Sequence, residues 1–433
     1  MAGLFYLLQN ITDWFIISKP QGDFVLPKLV KFFIILAFFI LSLIYICHSL
    51  SAVWENPKSN QWDLLIYYSA GQAYTEGLNP YLIEDLAQVS GENIWLLFAY
   101  TPGTLEIFKF LPLLEYNTAH RVWLILKLIT FAGLIFIWKR YFIKDLSLLL
   151  IIPFALFAFD GSAFWDIKAG NISLFEQLII WSAFLFYLRK RFLYFAILIT
   201  VISIFKLTPV VFILLLLFVP DQRKWWLAGG SILALVISIL ANYWYRPELF
   251  ESFINTLSAI DERAVDYNYG ILPFWHDLYD LLKYTATSPH KALYTYISYS
   301  CTAMFILYFT IKYLVKAWQN NADLAGLHTV LLSCCAYTLI MPRFKCYSFI
   351  IMIPVCLYLL QNARNLKLQP ILFLLCLIPI APPFEGIDVL EKFMRYYPLY
   401  ISAIIWYLFI AASPGPYYNN PPEAKDELPQ LAP

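Results

Sequence analysis

Charged residues are scarce in this chain of 433 residues, of which Lys, Arg, Asp and Glu make up 14%. A soluble domain carries about 25%. The 30 basic and 29 acidic residues leave a net charge of +1, so the chain has no basic field for a phosphate backbone, and nucleic acid is excluded as a partner. Because 61% of the residues are apolar, the composition indicates an integral membrane protein.

The common signatures of metal, nucleotide and disulfide chemistry are absent as well. The seven cysteines are odd in number and form no CxxC pair, which argues against a disulfide framework and a zinc site. We expect them to be small buried residues. No DxD, HExxH or GxxxxGK[ST] sequence occurs, so neither a metal nor another cofactor is predicted.

Long apolar runs recur from Leu29 almost to the C-terminus and predict one all-α polytopic membrane domain with about twelve transmembrane helices over residues 28–412. Residues 1–27 lack the features of a signal peptide and are expected to form a cytoplasmic or interfacial segment. Residues 413–433, rich in Pro, Asn and charge, are expected to be a disordered cytoplasmic tail. The predicted spans are Leu29 to Leu50, Thr118 to Trp138, Leu146 to Phe159, Ile172 to Leu188, Phe192 to Phe205, Leu207 to Val219, Trp226 to Tyr245, Ala292 to Val315, Leu324 to Met341, Cys346 to Leu360, Leu368 to Ala381 and Leu399 to Ala412.

The apolar segment Tyr100 to Leu114 decides the orientation of everything that follows it. With Pro102, Pro112 and Lys109 it makes a poor span, and a re-entrant or surface-lying helix fits better. If it does not cross, the short basic connectors share one side of the membrane, as the positive-inside rule requires. Both termini are then cytoplasmic, and the long loop that follows the first span lies outside.

Lys206 interrupts 28 almost entirely apolar residues, and Pro209 follows it. A lysine at mid-bilayer costs about 2.5–3.5 kcal/mol, and proline removes a helical hydrogen bond. The run is therefore predicted to fold as two short helices that meet at a polar cavity. Lys206 either faces an anionic ligand there, which we favour, or pairs with an acidic side chain or snorkels outward.

Other polar residues give weaker signals. Asp63 opens an amphipathic helix in the first outer loop, and by sequence alone it is best interpreted as an N-cap. Arg343 and Lys345 form an outer turn with no carboxylate nearby in sequence, so they are expected to bind a phosphate or to reach lipid headgroups. Asp166 is expected to pair with Lys168.

Several of these segments, taken in order, resemble a GT-C glycosyltransferase, specifically glycosyltransferase family 87. Members of that family are polyprenyl-phosphate-mannose-dependent mannosyltransferases and their relatives. The resemblance rests on Asp63-Leu-Leu-Ile-Tyr-Tyr, Gly77-Leu-Asn-Pro-Tyr81, Phe98-Ala-Tyr-Thr-Pro102, Gly170-Asn-Ile-Ser173, Ile204-Phe-Lys-Leu-Thr-Pro209 and Pro342.

The resemblance implies a GT-C fold, with short amphipathic helices in the first outer loop, and a catalytic Asp63. The donor phosphate is expected to bind Lys206, Arg343 and Lys345. A possible catalytic histidine of the family is missing from Pro342-Arg-Phe-Lys-Cys-Tyr347, and the usual Gly-Gln reads Gly170-Asn171. Weaker candidates for substrate binding are Tyr67, Tyr81, Tyr100, Lys168, Asn171 and His276.

The expected function is inverting transfer of a sugar from a polyprenyl-phosphate carrier to a lipid-linked or glycan acceptor at the outer face of the membrane. The resemblance implies that the sugar is mannose. A phosphate leaving group needs cations rather than a general acid, and one carboxylate suffices as the general base. Expected partners are the polyprenyl-phosphate sugar, the acceptor and membrane lipids. One alternative is a transporter or flippase for an anionic lipid or sugar phosphate, although no internal repeat is evident. A scaffold in a glycan-assembly complex is another.

Overall fold

The computed structural model of the protein describes residues 28–219, 221–263, 268–282, 289–320, 322–362, 376–377 and 394–411. Regular secondary structure in these residues is helical, apart from one isolated bridge between Asn268 and Lys345. The segment 1–27, the tail 413–433 and most of the predicted span Leu368 to Ala381 lie outside the described residues.

Sixteen α-helices are numbered here in chain order. They span Lys28–Glu55 (α1), Pro57–Asn60 (α2), Trp62–Thr75 (α3), Ile83–Ser90 (α4), Leu105–Phe108 (α5), Tyr116–Ile137 (α6), Leu148–Ala169 (α7), Ser173–Leu188 (α8), Phe192–Phe205 (α9), Lys224–Tyr245 (α10), Pro247–Ala259 (α11), Ile271–Leu281 (α12), Pro289–Asn320 (α13), Ala322–Ile340 (α14), Ile353–Asn362 (α15) and Tyr397–Ala411 (α16). Tighter 3₁₀ turns span Pro102–Thr104, Leu111–Leu113, Thr208–Phe218 and Cys346–Met352, and Trp138–Phe142 forms a π-helical turn.

Among the described residues, five helices are long and apolar enough to cross a membrane. Six shorter apolar helices of 10–17 residues accompany them, and together these helices coincide with every predicted span except Leu368 to Ala381. The long ones are Ile35–Glu55, Tyr116–Phe142, Leu148–Ala169, Lys224–Tyr245 and His290–Gln319.

The segment from Tyr100 to Leu114, whose crossing was in question, contains no helix long enough to span. It folds as three short pieces, Pro102–Thr104, α5 and Leu111–Leu113. A four-residue α-helix is only about 6 Å long, against a hydrocarbon core of about 30 Å. These short pieces are compatible with a re-entrant or surface-lying segment, which stays a prediction.

The third predicted span, Leu146 to Phe159, agrees with the first part of α7, whose helical backbone stops at Ala158. The residues between this span and the next were not expected to be helical, but they form a second helical stretch that ends at Ala169. The chain is bent at Ala158–Gly161, where Phe159, Asp160 and Gly161 have positive φ values. Asp-Gly is a typical turn pair, but here the bend is followed by more helix, so only a short turn separates α7 from α8.

The segment between α1 and α6 packs around a small core of its own. That core joins α3, α4 and α5 and includes Leu65, Tyr67, Leu86, Phe98 and Phe108. α3 approaches α5 closely at Gly71, where a Cβ atom would lie 2.3 Å from the carbonyl oxygen of Phe108. This packing holds the first turn of α3, which carries Asp63, against the membrane helices.

The cysteine prediction holds in part. All seven thiols are free, and five of them are buried, namely Cys334, Cys335, Cys346, Cys356 and Cys376. Cys47 and Cys301 are exposed instead, on the outward faces of α1 and α13. Both helices are largely apolar, so a small apolar side chain is compatible with such a face.

Candidate functional site

A cavity of about 430 Å³ lies where α3, α9, α10 and α11 meet the segment that follows α14. Seven of the ten residues that the sequence singled out line it. They are Asp63, Tyr67, Tyr100, Asn171, Lys206, Arg343 and Lys345. The chain thus brings together side chains from positions 63 to 345, which only tertiary packing can do.

Asp63 occupies the first turn of α3, but it does not cap the helix. The N-cap is Gln61, and no side chain makes a capping hydrogen bond there. Instead, Asp63 Oδ2 accepts a hydrogen bond of 2.9 Å from the side-chain amide of Asn171. The N-cap interpretation is therefore wrong, because the carboxylate points away from its own helix and into the cavity.

Burial raises the pKa of Asp63 above its usual range. The Asn171 hydrogen bond, the Lys345 charge and a hydrogen bond from Tyr347 oppose that increase because each favours the ionised carboxylate. Tyr67, one turn further along α3, also lies within 3.3 Å of the Asn171 amide, and its hydroxyl is 3.0 Å from that of Tyr100. A carboxylate with a raised pKa in a cavity of this kind is suited to accepting a proton.

The turn that carries Asn171 depends on Gly170, whose φ is +72°. A Cβ atom at Gly170 would lie 2.9 Å from Cβ of Leu64, next to Asp63 in α3. The carbonyl oxygen of Gly170 accepts a 2.8 Å hydrogen bond from the indole of Trp123. The glycine thus lets the turn pass close enough to α3 for Asn171 to reach the carboxylate.

Gly170→Ala is expected to lower the free energy of unfolding by about 1–3 kcal/mol, because it combines an unfavourable positive φ with crowding against Leu64. Thermal unfolding of the purified protein measures the effect. Gly229→Ala is the matched control, since a Cβ atom there meets nothing within 4 Å. Equal melting temperatures for the two variants would contradict this role of Gly170.

Lys206 lies between α9 and the 3₁₀ segment Thr208–Phe218, so the prediction of two short helices that meet at a polar cavity is confirmed. Its ammonium group forms an ion pair of 2.8 Å with Glu176 of α8. The side chain of Glu176 is 3% exposed and that of Lys206 31% exposed. The acidic partner that we considered as an alternative is therefore present, while the cation still reaches the cavity.

Arg343 also has a carboxylate partner, one that is distant in sequence. Its guanidinium lies 3.1 Å from Glu262, a residue 81 positions away. Asn268, fully buried, fastens this region: its side chain donates to the carbonyl oxygens of Glu262 and Pro342 and accepts from the amide of Phe344. The turn is thereby held against the loop that follows α11.

Lys345 differs from the other two cations. No carboxylate of the described residues lies within 4 Å of its ammonium group, and the acidic group that acts on its charge is Asp63. Burial and the neighbouring Arg343 charge lower the pKa of Lys345, and Asp63 opposes this. An anion in the cavity would therefore find in Lys345 a cation without a carboxylate of its own.

Tyr81 and Lys168 lie outside the cavity lining. Tyr81 is buried in the small core around α3, α4 and α5, and its hydroxyl donates to the carbonyl oxygen of Tyr100 at 2.8 Å. The ammonium group of Lys168 lies 4.9 Å from the ring centre of Trp165. The predicted pairing of Lys168 with Asp166 is wrong, because Asp166 pairs with Lys127 of α6 instead.

His276 also lies outside the cavity, on α12. One of its nitrogens lies 3.5 Å from Asp277 and 3.8 Å from Asp280, and three such ligands could hold a divalent cation. Both carboxylates already have partners, since Asp280 pairs with Lys291 and Asp277 accepts a 2.6 Å hydrogen bond from Tyr396. Burial alone would raise the pKa of Asp277, but the hydrogen bonds from His276 and Tyr396 outweigh burial, and the pKa is lowered.

Helices α10 and α11 contribute mainly apolar side chains to the cavity, among them Leu235, Ile239, Phe253 and Leu257, together with the polar Ser238 and Asn242 of α10. The cavity therefore combines the charged groups around Asp63 with side chains that offer hydrocarbon contacts. A ligand with a polar head and an apolar chain matches both.

Sequence reasoning missed several residues of the site. Glu176, Glu262, Asn268 and Tyr347 carry no local motif, and each acts on a partner far away in the chain. Only Tyr347 gave a usable signal, because it stands two residues after Lys345 in the segment that follows α14.

The sequence profile described as glycosyltransferase family 87 matches residues 98–342, more than half of the chain. No curated protein and no solved structure matches the chain significantly. The matched range contains Asn171 and Lys206 and ends before Arg343, while Asp63 precedes it. On this match, the chain belongs to glycosyltransferase family 87.

Proposed function

We propose that this membrane glycosyltransferase moves a sugar, mannose in the first instance, from a polyprenyl-phosphate carrier to the hydroxyl of a lipid-linked or glycan acceptor, with inversion at the anomeric carbon. The observation that carries the proposal is the position of Asp63 in one cavity with three cations and apolar side chains. Family membership favours glycosyl transfer over the transporter alternative.

The cations suit a phosphate leaving group. When the bond between the anomeric carbon and the phosphate oxygen breaks, negative charge develops on the phosphate, and nearby cations stabilise it most in a site shielded from water. Lys345 supplies a charge that no carboxylate of the described residues pairs with, while Lys206 and Arg343 are held in place by Glu176 and Glu262. No general acid is needed, because the departing polyprenyl phosphate is a weak base.

Asp63 suits the role of general base. The acceptor hydroxyl attacks the anomeric carbon and transfers its proton to the carboxylate, so the products are the glycoside and polyprenyl phosphate. The proposal assigns nucleophilic attack to the acceptor hydroxyl, with no covalent glycosyl-enzyme intermediate. A single displacement inverts the configuration, as it does in inverting glycosidases. A β-linked donor therefore gives an α-linked product.

The apolar side chains of the cavity suit the prenyl chain. Ile239, Phe253 and Leu257 would contact isoprene units while the sugar phosphate lies near Asp63. A substrate that keeps its prenyl tail beside α10 can diffuse into the site from the bilayer. This would explain why the transfer of a polar sugar is catalysed by a membrane protein.

We propose twelve crossings with the site on the extracytoplasmic side. The cavity residues lie near Phe205, at the end of α9, and in the second half of α10. The basic residues Arg189–Arg191 and Arg223–Lys224 precede the opposite ends of these helices. Short basic connectors favour the cytoplasm, which supports an outward-facing cavity.

The rate of transfer is expected to fall as the pH decreases through the raised pKa of Asp63, because the base must be ionised. The acidic limb of kcat/KM therefore lies above the usual range of an aspartate. Asn171→Ala removes a hydrogen bond that stabilises the ionised form, so it is expected to move this limb to still higher pH. An acidic limb at the ordinary aspartate value in both proteins would contradict the assignment.

The reaction class is tested with purified protein in nanodiscs, synthetic polyprenyl-phosphate-[³H]mannose and a membrane lipid extract. Label that moves into a new product and leaves unlabelled polyprenyl phosphate behind supports the proposal. Label that only changes sides in sealed vesicles, with no covalent product from any prenyl-phosphate sugar, would favour the transporter alternative.

A further inference from the structure

An ion pair between Lys127 of α6 and Asp166 of α7 is fully buried, with both side chains 0% exposed. Each lies in a helix that is long and apolar enough to cross a membrane. Buried ion pairs add little stability, and replacing one with apolar residues of similar volume is often neutral or stabilising. Stability alone therefore gives no account of this pair, and its contacts point to a different role.

The pair makes hydrogen bonds to backbone groups at two positions in the turn between α7 and α8 and the start of α8. The ammonium group of Lys127 donates to Asp166 and also to the backbone carbonyl oxygen of Asn171. The same carboxylate oxygen of Asp166 accepts a hydrogen bond of 3.3 Å from the backbone amide of Leu174. The backbone on either side of the Asn171 side chain is thereby fixed relative to α6 and α7.

The side chain of Asn171 is oriented as well. Its Oδ1 atom accepts hydrogen bonds from the amide and the hydroxyl of Ser173, at 3.0 and 2.8 Å. The NH₂ end must therefore face the other way, where it donates to Asp63 Oδ2 at 2.9 Å. A continuous chain of contacts thus runs from the buried pair through Asn171 to the carboxylate in the cavity.

We propose that Lys127 and Asp166 are positioning residues that act on Asp63 through Asn171. This inference rests on the proposed function only where it treats Asp63 as the base. The pair itself touches neither the cavity nor a substrate, since the residues that line the cavity include Asn171 but neither Lys127 nor Asp166. Its contribution is to keep the carboxylate ionised and pointed at the acceptor.

Other groups also act on Asp63 and must stay unchanged in a test. Lys345 and Tyr347 approach it from the turn after α14, and Tyr67 lies beside it on α3. The variant with both Lys127→Met and Asp166→Leu leaves these in place and removes one positive and one negative charge together. The charge of Lys127 also lowers the pKa of Asp63 directly, so the shift in the double variant includes the loss of that charge. The part of the shift that disappears in an Asn171→Ala background is the part that acts through Asn171.

The test compares this double variant with the wild type by infrared titration of the Asp63 carboxyl group, assigned by difference from Asp63→Asn. We expect Asp63 to become protonated at higher pH in the double variant, because Asn171 no longer holds the ionised form. Transfer assays should show a loss in kcat of about 10²-fold with little change in the KM for the donor. Identical titration and kcat would overturn the proposal.

The matched control is the variant with Lys291→Met and Asp280→Asn, which removes another interhelical ion pair outside the cavity. It should leave the titration of Asp63 and kcat unchanged. An equal loss of kcat in the control would mean that any removed ion pair impairs the protein, and the proposal would fail.

A second test asks whether the pair acts through Asn171. Adding the double variant to Asn171→Ala should lower kcat no further than the larger of the two separate effects, whereas multiplied losses would mean independent roles and would overturn the proposal. If the double variant does not fold, Lys127→Met with Asp166→Asn removes the same two charges and the hydrogen bond to the Asn171 carbonyl oxygen while keeping the side-chain size at Asp166. It should move the Asp63 titration in the same direction, and no movement would overturn the proposal.

The infrared titration needs no substrate, so it separates this inference from the proposed function. If Asp63→Asn retains full transfer, the assignment of the base fails, and the positioning of the carboxylate is still decided by its titration. If Asp63→Asn abolishes transfer and the double variant behaves as the wild type, only the positioning role fails.

Discussion

Asp63→Asn is expected to reduce sugar transfer by about 10³-fold while leaving the donor KM within about threefold, since a positioned general base contributes roughly 10²–10⁴-fold. Asparagine keeps the size of the side chain but cannot take the proton from the acceptor hydroxyl. The measurement is the initial rate of transfer of labelled mannose from synthetic polyprenyl-phosphate-mannose, at equal amounts of folded protein.

Glu76→Gln is the matched control for that experiment. Glu76 follows the other end of the same helix, and its exposed side chain accepts a hydrogen bond from Gln72. This change also neutralises one carboxylate, but it should leave the rate unaltered. Full activity of Asp63→Asn, or equal losses in the two variants, would remove Asp63 as the base.

Lys345→Gln is expected to have the second largest effect, a loss in kcat/KM of about 10²-fold. Removing one group that stabilises developing charge costs about this much in other enzymes. We expect KM to rise and kcat to fall, because Lys345 attracts the phosphate of the bound donor and also the negative charge that develops on it during bond breaking. The measurement is a donor titration at saturating acceptor concentration.

Lys58→Gln is the control, since Lys58 is an exposed lysine that pairs with Glu92 outside the cavity. It removes the same charge without changing the site and should leave kcat/KM unchanged. Wild-type kinetics for Lys345→Gln would mean that the phosphate binds elsewhere.

The sequence predicted the positions of the apolar helices well, because hydrocarbon solvation acts on each segment separately. In hydrocarbon, a run such as Phe192 to Phe205 must pair its backbone N–H and C=O groups with one another in a helix, whichever other segments surround it. The break at Lys206 was equally local, since a charge and a proline lie within four residues. These signals need no knowledge of distant partners, and the structure agrees with them.

The partners of the charged groups could not be predicted in the same way. Asp63 appeared to be an N-cap because that role depends only on neighbours, whereas Asn171 is 108 positions away. Asp166 was assigned to Lys168, two residues along, yet it pairs with Lys127 on another helix. Which charges meet is decided by how the helices pack, and a single sequence carries little information about that packing.

The bend in α7 shows a third kind of difference. The third predicted span ends at Phe159, where its apolar run ends, and the helical backbone is interrupted there. The structure has positive φ values at Asp160 and Gly161 and then resumes the helix to Ala169. The added length brings Asp166 opposite Lys127 and the Gly170 turn against α3, which local propensity alone cannot predict.

The anomeric configuration of the product tests the central claim most directly. The purified protein is given a β-linked polyprenyl-phosphate-mannose labelled with ¹³C at the anomeric carbon, and the one-bond carbon–hydrogen coupling of the product is measured by NMR. An α-linked product formed together with free polyprenyl phosphate is the result that one base and a single displacement predict. A β-linked product would contradict the account, because retention requires a second displacement and a nucleophile that the account does not include.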